Sequence, residues 1–226
     1  MKTTLTTKPR VTQCQKPEGW LGRLVLRNMN ERHSGVTDWG LSHISLKKQF
    51  TILDIGCGGG RTVSKLAEVA TEGKVYGLDY STTSVAVASK INRERIKSGR
   101  VEIREGSVSH LPFAMATFDL VVAVETHFWW PDLPGDLREL LRALKPGGEL
   151  AIIAEVYRGA STKTAKLVEK YLPRTGMKLL SPDEHQNLLT NAGYSNVQIT
   201  VEPSNGWILA VGKKAAADVS PSEDRP

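Results

Sequence analysis

From residue 51 onward, short apolar runs alternate with segments in which apolar residues recur every three or four positions. Short runs are typical of buried strands, and the longer spacing is typical of one face of a helix. The runs predict seven strands, at 50–56, 74–80, 101–108, 118–125, 149–156, 197–202 and 206–214. The spacing predicts helices with the faces Val63/Leu66/Ala67/Ala70 and Leu137/Leu140/Leu141/Leu144, and two more over 81–99 and 181–193.

The order of these elements indicates an α/β fold. Repeated strand–helix units form a parallel sheet with right-handed crossovers and helices on both faces. Only a short turn separates the last two strands, so they must pair antiparallel. The sequence therefore predicts a Rossmann-like, doubly wound, seven-stranded and mostly parallel sheet with a terminal antiparallel hairpin. In such sheets the ligand binds at the carboxyl ends of the central strands.

The charge is unevenly distributed along the chain. Of the net charge of +6, all lies in residues 1–50, which hold nine Lys/Arg against three Asp/Glu. This pattern predicts three parts: a basic arm with an amphipathic lid helix at 1–49, the α/β domain at 50–214, and a disordered tail at 215–226. The basic segment could attract an anionic substrate, a nucleic acid or a membrane surface, or be a solvated arm.

Composition excludes several classes of protein. No apolar run approaches the roughly 20 residues that cross a bilayer, and the N-terminus has no apolar core of signal-peptide length. Cys14 and Cys57 indicate neither a disulfide framework nor a metal site. We therefore expect a cytoplasmic enzyme without a metal.

The segment LDIGCGGGRT follows the first strand and opens the first helix. Its glycines allow the backbone to approach a ligand closely. Asp79 ends the second strand, where a carboxylate can accept both hydroxyls of a ribose. This pairing indicates an adenosine-containing ligand, either a nicotinamide dinucleotide or S-adenosyl-L-methionine (SAM).

Three features favour SAM. The dinucleotide fingerprint needs a glycine where this chain has Arg61. Asp54 stands two residues before the first glycine, where it would repel a pyrophosphate but attract a sulfonium and an ammonium. The terminal antiparallel hairpin also departs from the usual dinucleotide pattern.

At this point the chain resembles the class I SAM-dependent methyltransferases, and most closely their small-molecule branch, which includes quinone-biosynthesis enzymes. The resemblance covers about residues 50–212. The motifs that carry it are ILDIGCGGG, VYGLDYS, EGSVSHLPF, FDLVVAVE and LKPGGEL, in the family's order and spacing.

The resemblance implies a set of cofactor contacts. Asp54, Gly56 and Gly58 would line the methionine part of SAM, Asp79 would hold the ribose, and Tyr80 would lie along the adenine. Ser107 stands where the family usually has the aspartate that accepts the adenine amino group, and the amide of Val108 would serve a ring nitrogen. Cys57, Gly106, Val124 and Glu125 complete the expected cofactor site.

The segment VETHFWWPDL, residues 124–133, leaves the fourth strand beside the expected methyl group. Its aromatic rings could exclude water and stabilise sulfonium charge, which makes Phe128, Trp129 and Trp130 candidate walls of an acceptor site. His127 and Glu125 are the candidate catalytic residues, with His127 as a general base. The alternative is that these side chains only pack the next helix against the sheet.

The N-terminal segment is the candidate second wall. Trp20, Leu21, Leu24, Val25 and Met29 form the apolar stripe of a helix that could act as a lid, pack on the domain, or contact a membrane or partner. Trp20, His33, Trp39 and Tyr157 are further candidates for contact with the acceptor.

We therefore expect a SAM-dependent methyltransferase that acts on a small molecule and releases S-adenosyl-L-homocysteine. One alternative is an RNA or protein methyltransferase that uses the basic segment, although a nucleic-acid partner is not expected. Another is a SAM-binding module without turnover. The sequence leaves the oligomeric state open.

Overall fold

The computed structural model describes residues 15–216, so residues 1–14 of the basic arm and 217–226 of the predicted tail lie outside the described residues. One sheet holds all seven predicted strands: β1 Thr51–Ile55, β2 Lys74–Asp79, β3 Val101–Glu105, β4 Phe118–Val124, β5 Leu144–Ala154, β6 Ser195–Glu202 and β7 Trp207–Lys213. Their order is β3-β2-β1-β4-β5-β7-β6. Six strands run parallel, and β7 runs antiparallel to both β5 and β6. The predicted fold class is confirmed.

The α-helices lying within the described residues are α1 Gly19–Arg32, α2 Ser34–Ser42, α3 Arg61–Val69, α4 Thr82–Ile91, α5 Arg93–Lys97, α6 Leu133–Ala143, α7 Lys163–Thr175 and α8 Pro182–Asn191. A short 3₁₀ turn, His127–Trp129, follows β4. The predicted start signals are confirmed, since Ser81 caps α4 and a capping box of Ser181 and Glu184 opens α8.

The helix predicted over 81–99 is wrong as a single element, because it breaks at Asn92. The Asn92 side chain is fully buried and donates to the carbonyls of Gly60 (2.9 Å) and Ala88 (3.0 Å). This side chain ties the end of α4 to the loop after β1, and α5 then begins as a separate turn. Leu144 was also misplaced, since it pairs with Phe118 as the first residue of β5 instead of ending the face of α6.

The predicted apolar stripe of α1 is wrong in its orientation. The face turned to the protein carries Leu26, which is fully buried, while Trp20 and Leu24 are 70% and 55% exposed. Gly22 explains this orientation, because a Cβ there would lie 2.8 Å from the backbone of Pro17. The helix therefore turns its glycine side inward, which a count of apolar residues does not detect.

The sheet is covered on both faces. On one face, α6 packs Leu137 and Leu140 against β4 and β5, and on the other α3 packs Val63 and Leu66. Both faces of the central strands are thus buried, which explains their continuous apolar sequences. Only the ends of the strands remain accessible to a ligand.

Candidate cofactor and acceptor site

A cavity of about 420 Å³ opens at the carboxyl ends of β1, β2 and β4. Its size is within the usual range of small-molecule sites. The lining consists of the loop after β1, the end of β2, residues 106–108 after β3, residues 124–126 and 129–131 at and after the end of β4, and the inner face of α1. This is the edge of the sheet at which the sequence predicted the ligand.

The structure brings together every residue predicted to bind the cofactor. All of them line this cavity: Asp54, Gly56, Cys57, Gly58, Asp79, Tyr80, Gly106, Ser107, Val108, Val124 and Glu125. Their contacts with the cofactor itself stay predictions.

The glycine-rich loop places its backbone on the floor of the cavity. Gly56, Gly58 and Gly60 have φ of 71°, 50° and 79°, in the left-handed region that favours glycine. A Cβ on Gly56 would lie 2.8 Å from the Cβ of Thr126, so a larger residue does not fit. The N–H of Gly56 donates to the carbonyl of Leu78 (2.7 Å), which fixes the loop to the end of β2.

Asp54 is buried at the carboxyl end of β1 and holds an acceptor without a partner. One of its oxygens accepts a backbone hydrogen bond from Val63, whereas Oδ2 has no partner within the described structure. Burial, together with the nearby Asp79 carboxylate, raises the pKa of Asp54 to about 8. A cationic donor beside Oδ2 would satisfy this oxygen and favour the charged carboxylate.

Asp79 is held rigidly at the end of β2. Its Oδ1 accepts from the N–H of Ser81 and its Oδ2 from the N–H of Gly58, each at 2.9 Å. Burial raises the pKa of Asp79, while these hydrogen bonds act in the opposite direction. A carboxylate oxygen has two lone pairs, so both oxygens can still accept from the hydroxyls of a ribose.

Tyr80 and Ser107, which are expected to contact the adenine, both line the cavity. Tyr80 is 41% exposed, and its hydroxyl donates to the carbonyl of Gln15 in the N-terminal segment. The oxygen of Ser107 accepts from the N–H of Ser109 (3.2 Å) and retains its own O–H as a donor. The third strand was predicted to reach residue 108, but β3 ends at Glu105, which frees residues 106–108 to line the cavity.

The segment after β4 supplies an aromatic wall. Trp129, Trp130 and Pro131 line the cavity, and Nε1 of Trp130 donates to Oγ1 of Thr126 (3.3 Å). Phe128, by contrast, is buried against Ala154 and Ile208 on the far side of the segment. The two tryptophans of the segment therefore line the cavity, as the predicted acceptor wall requires, whereas Phe128 packs in the core, as the alternative interpretation expected.

Three ionisable side chains converge beside this wall. His33, Glu125 and Glu155 place ligand atoms within 4.8 Å of one another, and Glu125 accepts a hydrogen bond from the N–H of Glu155. The guanidinium of Arg32 lies 2.6 Å from Glu155, so positive charge is already present in the cluster. Glu125 has a φ of 56°, which is uncommon for a residue with a side chain and is typical of functional sites.

The protonation of this cluster follows from its enclosure. Burial, followed by the Arg32 charge, lowers the pKa of His33 to about 4, so the imidazole is neutral at pH 7. Burial also raises the pKa of Glu125, and the Glu155 carboxylate adds to this shift. Protein surrounds Glu125, yet part of its surface faces the cavity. A neutral imidazole and a carboxyl group that favours its proton therefore face the acceptor end of the cavity.

His127 does not lie where a general base would be needed. It is buried and is not among the described residues that line the cavity; its Nε2 lies 3.1 Å from Nε2 of His185. Nδ1 of His185 must donate to the carbonyl of Ser181 (2.9 Å), so its Nε2 accepts from His127. Nδ1 of His127 is then a buried acceptor without a partner in the described structure. This placement gives no support to the prediction of His127 as a base.

Three of the candidate acceptor residues also lie away from the cavity. Trp20 is exposed on the outer face of α1, and Trp39 packs between His43 and Trp207, with ring centroids 5.0 and 5.9 Å away. Tyr157 packs near α7. His33 does line the cavity, as predicted.

The sequence interpretation missed Leu26 and grouped Met29 with the exposed Trp20 and Leu24, although both Leu26 and Met29 line the cavity from α1. Together with Gly22 and His33 they recur at intervals of three or four residues, which is the spacing of one helix face. The signal for the inward face of α1 is Gly22, which lies on the same face as these residues.

The family described as Methyltransferase domain matches residues 53–152. The match covers 100 of the 226 residues of the chain. The matched segment runs from β1 into β5 and contains Asp54, the glycine loop and Asp79. The resemblance to the class I SAM-dependent methyltransferases is confirmed, and SAM is the cofactor of this fold.

Similar proteins extend the match beyond this domain. The chain is 30% identical over 149 residues to the O-methyltransferase cnsE of Penicillium expansum, an alignment that covers 66% of this chain and 53% of that protein. It is 29% identical to the demethylmenaquinone methyltransferase of Lactobacillus johnsonii, with 72% and 75% covered. The chain thus spans about half the length of the first relative.

The fold of the chain also matches solved structures. A SAM-dependent methyltransferase from Aquifex aeolicus superposes with a TM-score of 0.69 at 21% identity, over 83% of this chain and 96% of that one. No helix in residues 15–216 is both long and apolar enough to cross a membrane.

Proposed function

We propose that this methyltransferase domain transfers a methyl group from SAM to a small-molecule acceptor bound between α1 and the tryptophan wall. The observation that carries the proposal is the continuity of the cavity. The same space reaches from Asp54 and Asp79 to His33 and Trp129. A cofactor held at one end would therefore present its methyl group to an acceptor at the other.

The cofactor end is assigned from its donors and acceptors. Asp54 would bind the ammonium group of SAM, and Asp79 would bind the ribose hydroxyls. The glycine loop would bind the carboxylate and the rest of the methionine part. Tyr80 and residues 106–108 would enclose the adenine. The unpartnered Oδ2 of Asp54 supports this orientation.

SAM supplies an electrophilic methyl group on a positively charged sulfur. A lone pair of the acceptor forms the new bond to the methyl carbon as the carbon–sulfur bond breaks, and the bonding electrons stay on the sulfur of S-adenosyl-L-homocysteine. Holding the two atoms about 3 to 3.5 Å apart supplies much of the acceleration. The ring faces of Trp129 and Trp130 would exclude water and favour the cationic sulfur.

His33 is the side chain that we assign to the acceptor in place of His127. Its neutral imidazole faces the cavity and can accept a hydrogen bond, or the proton, of an acceptor O–H or N–H group. Glu125, which favours its protonated form, can donate to a neighbouring oxygen of the acceptor.

Helix α1 is assigned as the lid. Its Leu26, Met29 and His33 line the cavity, and the chain before it is fastened by a hydrogen bond from Oγ of Ser81 to the carbonyl of Pro17 (2.6 Å). Only Leu26 is fully buried among its large apolar side chains. Opening therefore exposes little apolar surface, as entry and exit of ligands require.

Incubation with methyl-labelled SAM and a cell extract tests the proposal. We expect label in the low-mass, organic-soluble or volatile fraction, and Asp79→Ala as the matched control should abolish it. Label in the acid-precipitable fraction would indicate a protein or nucleic-acid acceptor and contradict the proposal. Binding of SAM without any transfer would contradict it too, if extracts from several sources behave alike.

A further inference from the structure

The outer face of α1 carries exposed apolar side chains among cations. Trp20, Leu24 and Arg27 are four and then three residues apart, so they lie on one stripe, and Arg23 flanks it. Trp20 is 70% exposed and Leu24 55%, while the Arg27 side chain is 82% exposed and only loosely paired with Glu31 (3.7 Å). Exposed apolar side chains that are grouped together and rimmed by polar residues are typical of an interaction site.

Helix α7 repeats this arrangement. Lys163, Lys166 and Lys170 are exposed on one stripe, and Leu167, 57% exposed, lies among them. Glu169, the one acidic residue of the helix, turns away from this stripe and accepts from the N–H of Gly159 (3.2 Å). The outer face of α7 is thus cationic with an apolar residue at its centre.

Both helices belong to the edge of the sheet at which the cavity opens. Helix α1 lines the cavity, and α7 follows β5, whose carboxyl end lies at the same edge. Just after α7, Nζ of Lys178 donates to the carbonyls of Trp130 and Pro131, each at 2.9 Å. The chain that leaves α7 is therefore bound to the aromatic wall, and α1 lines the same cavity as that wall.

We propose that the outer faces of α1 and α7 bind the surface of an anionic lipid bilayer. Tryptophan and leucine enter the interfacial region of a bilayer, where Lys and Arg meet anionic headgroups. The first 17 residues add four Lys/Arg and no Asp/Glu in sequence just before α1. A nucleic acid would use the cations and could stack a base on Trp20, but it has no use for exposed Leu24 and Leu167, so lipid fits the whole surface better.

This surface has a consequence for the acceptor that rests on the proposed function. The inner face of α1 lines the cavity while its outer face would meet the membrane. An apolar acceptor dissolved in the bilayer could then enter beneath the lid without crossing water. The binding itself requires neither SAM nor turnover.

Co-sedimentation of the full chain with vesicles, in the absence of SAM, tests the binding. We expect binding to vesicles that contain phosphatidylglycerol, little binding to phosphatidylcholine alone, and weakening by salt. Arg23→Gln with Arg27→Gln should weaken binding about 30-fold. This factor corresponds to about 2 kcal/mol for the two lost contacts with anionic headgroups. Arg93→Gln with Lys97→Gln, an equal loss of charge on exposed α5, is the matched control and should change little.

The apolar contribution is tested separately. Trp20→Ser with Leu24→Ser should weaken binding about tenfold or more, whereas Met115→Ser, at a 71% exposed position before β4, should have no effect. Brominated lipids should quench the fluorescence of the wild type, and Trp20→Phe should remove most of that quenching.

The outcomes separate this proposal from the proposed function. Absence of binding to anionic vesicles, or equal weakening by the α5 pair, would overturn the membrane surface while leaving methyl transfer intact. Binding to RNA or to an acidic protein that depends on Arg23 and Arg27, without vesicle binding, would overturn it in favour of that partner. Vesicle binding without methyl transfer to any acceptor would overturn the proposed function alone.

Discussion

Binding of SAM should release a proton from Asp54. In the free protein the pKa of Asp54 is raised to about 8, so at pH 7 this side chain carries about 0.9 of a proton. The ammonium of SAM beside Oδ2 requires the charged carboxylate, and ionising it at pH 7 costs about 1.4 kcal/mol. Binding at pH 7 should therefore release about 0.9 protons per SAM.

The affinity should follow the same linkage. Protonated Asp54 competes with SAM, so the affinity should rise about ninefold from pH 6 to pH 7. The stability of the free protein changes in the opposite direction. Because the folded-state pKa of Asp54 exceeds its ordinary value of 3.8, its contribution is fully present below pH 3.8 and is lost as the pH rises through 8.

Isothermal titration calorimetry in buffers of different ionisation enthalpy measures the released proton directly. The slope of the binding enthalpy against the buffer enthalpy gives the number of protons. Asp54→Asn cannot titrate and should bring that number close to zero while weakening binding. An unchanged slope in Asp54→Asn, or an affinity that does not vary between pH 6 and pH 7, would refute the assignment of the ammonium to Asp54.

Other residues support further predictions. Gly56→Ala should abolish detectable SAM binding, because the added Cβ would collide with the segment after β4. Gly99→Ala is the control, since Gly99 has a similar φ of 76° and open space around it. This variant should lose only about 1 kcal/mol of stability and keep full SAM binding. Calorimetry and thermal unfolding measure both, and binding by Gly56→Ala would contradict the loop assignment. His33→Asn should lower kcat/KM for the acceptor by about 10²-fold or more at unchanged SAM affinity; an equal loss of SAM affinity would show that His33 serves the cofactor instead. Burial lowers the pKa of His127 and of His185, so as the pH falls the unfolded chain takes up protons at these histidines before the folded chain does. Their contribution to the free energy of unfolding should therefore be fully present above pH 6.5 and decrease as the pH falls below that value. Urea unfolding between pH 8 and pH 5 should show a smaller loss for the double variant His127→Gln/His185→Gln, and equal losses would contradict the pairing.

The strands and the cofactor end could be predicted because their signals are local. Continuous apolar runs mark strands buried on both faces, and Asp54, Gly56 and Asp79 each stand at the end of such a run. Parallel strands place their carboxyl ends at one edge, so the topology alone brings these residues together.

The acceptor end could not be predicted in the same way. Whether an aromatic residue after β4 lines the cavity depends on the turn His127–Trp129, which brings Trp129 to the cavity and leaves Phe128 buried beside it. The burial of His127 could not be predicted, because its partner, His185, is 58 residues away in sequence. The face of α1 depends on a close approach of Gly22 to Pro17, which no apolar pattern reports.

A crystal structure of the full chain with S-adenosyl-L-homocysteine tests the central claim most directly. The account predicts ribose oxygens about 3 Å from the Asp79 carboxylate, the ammonium beside Oδ2 of Asp54, and the sulfur facing a space bounded by His33 and Trp129. A cofactor bound with its sulfur against packed protein, with no space on the side of the missing methyl group, would contradict methyl transfer to an acceptor in this cavity.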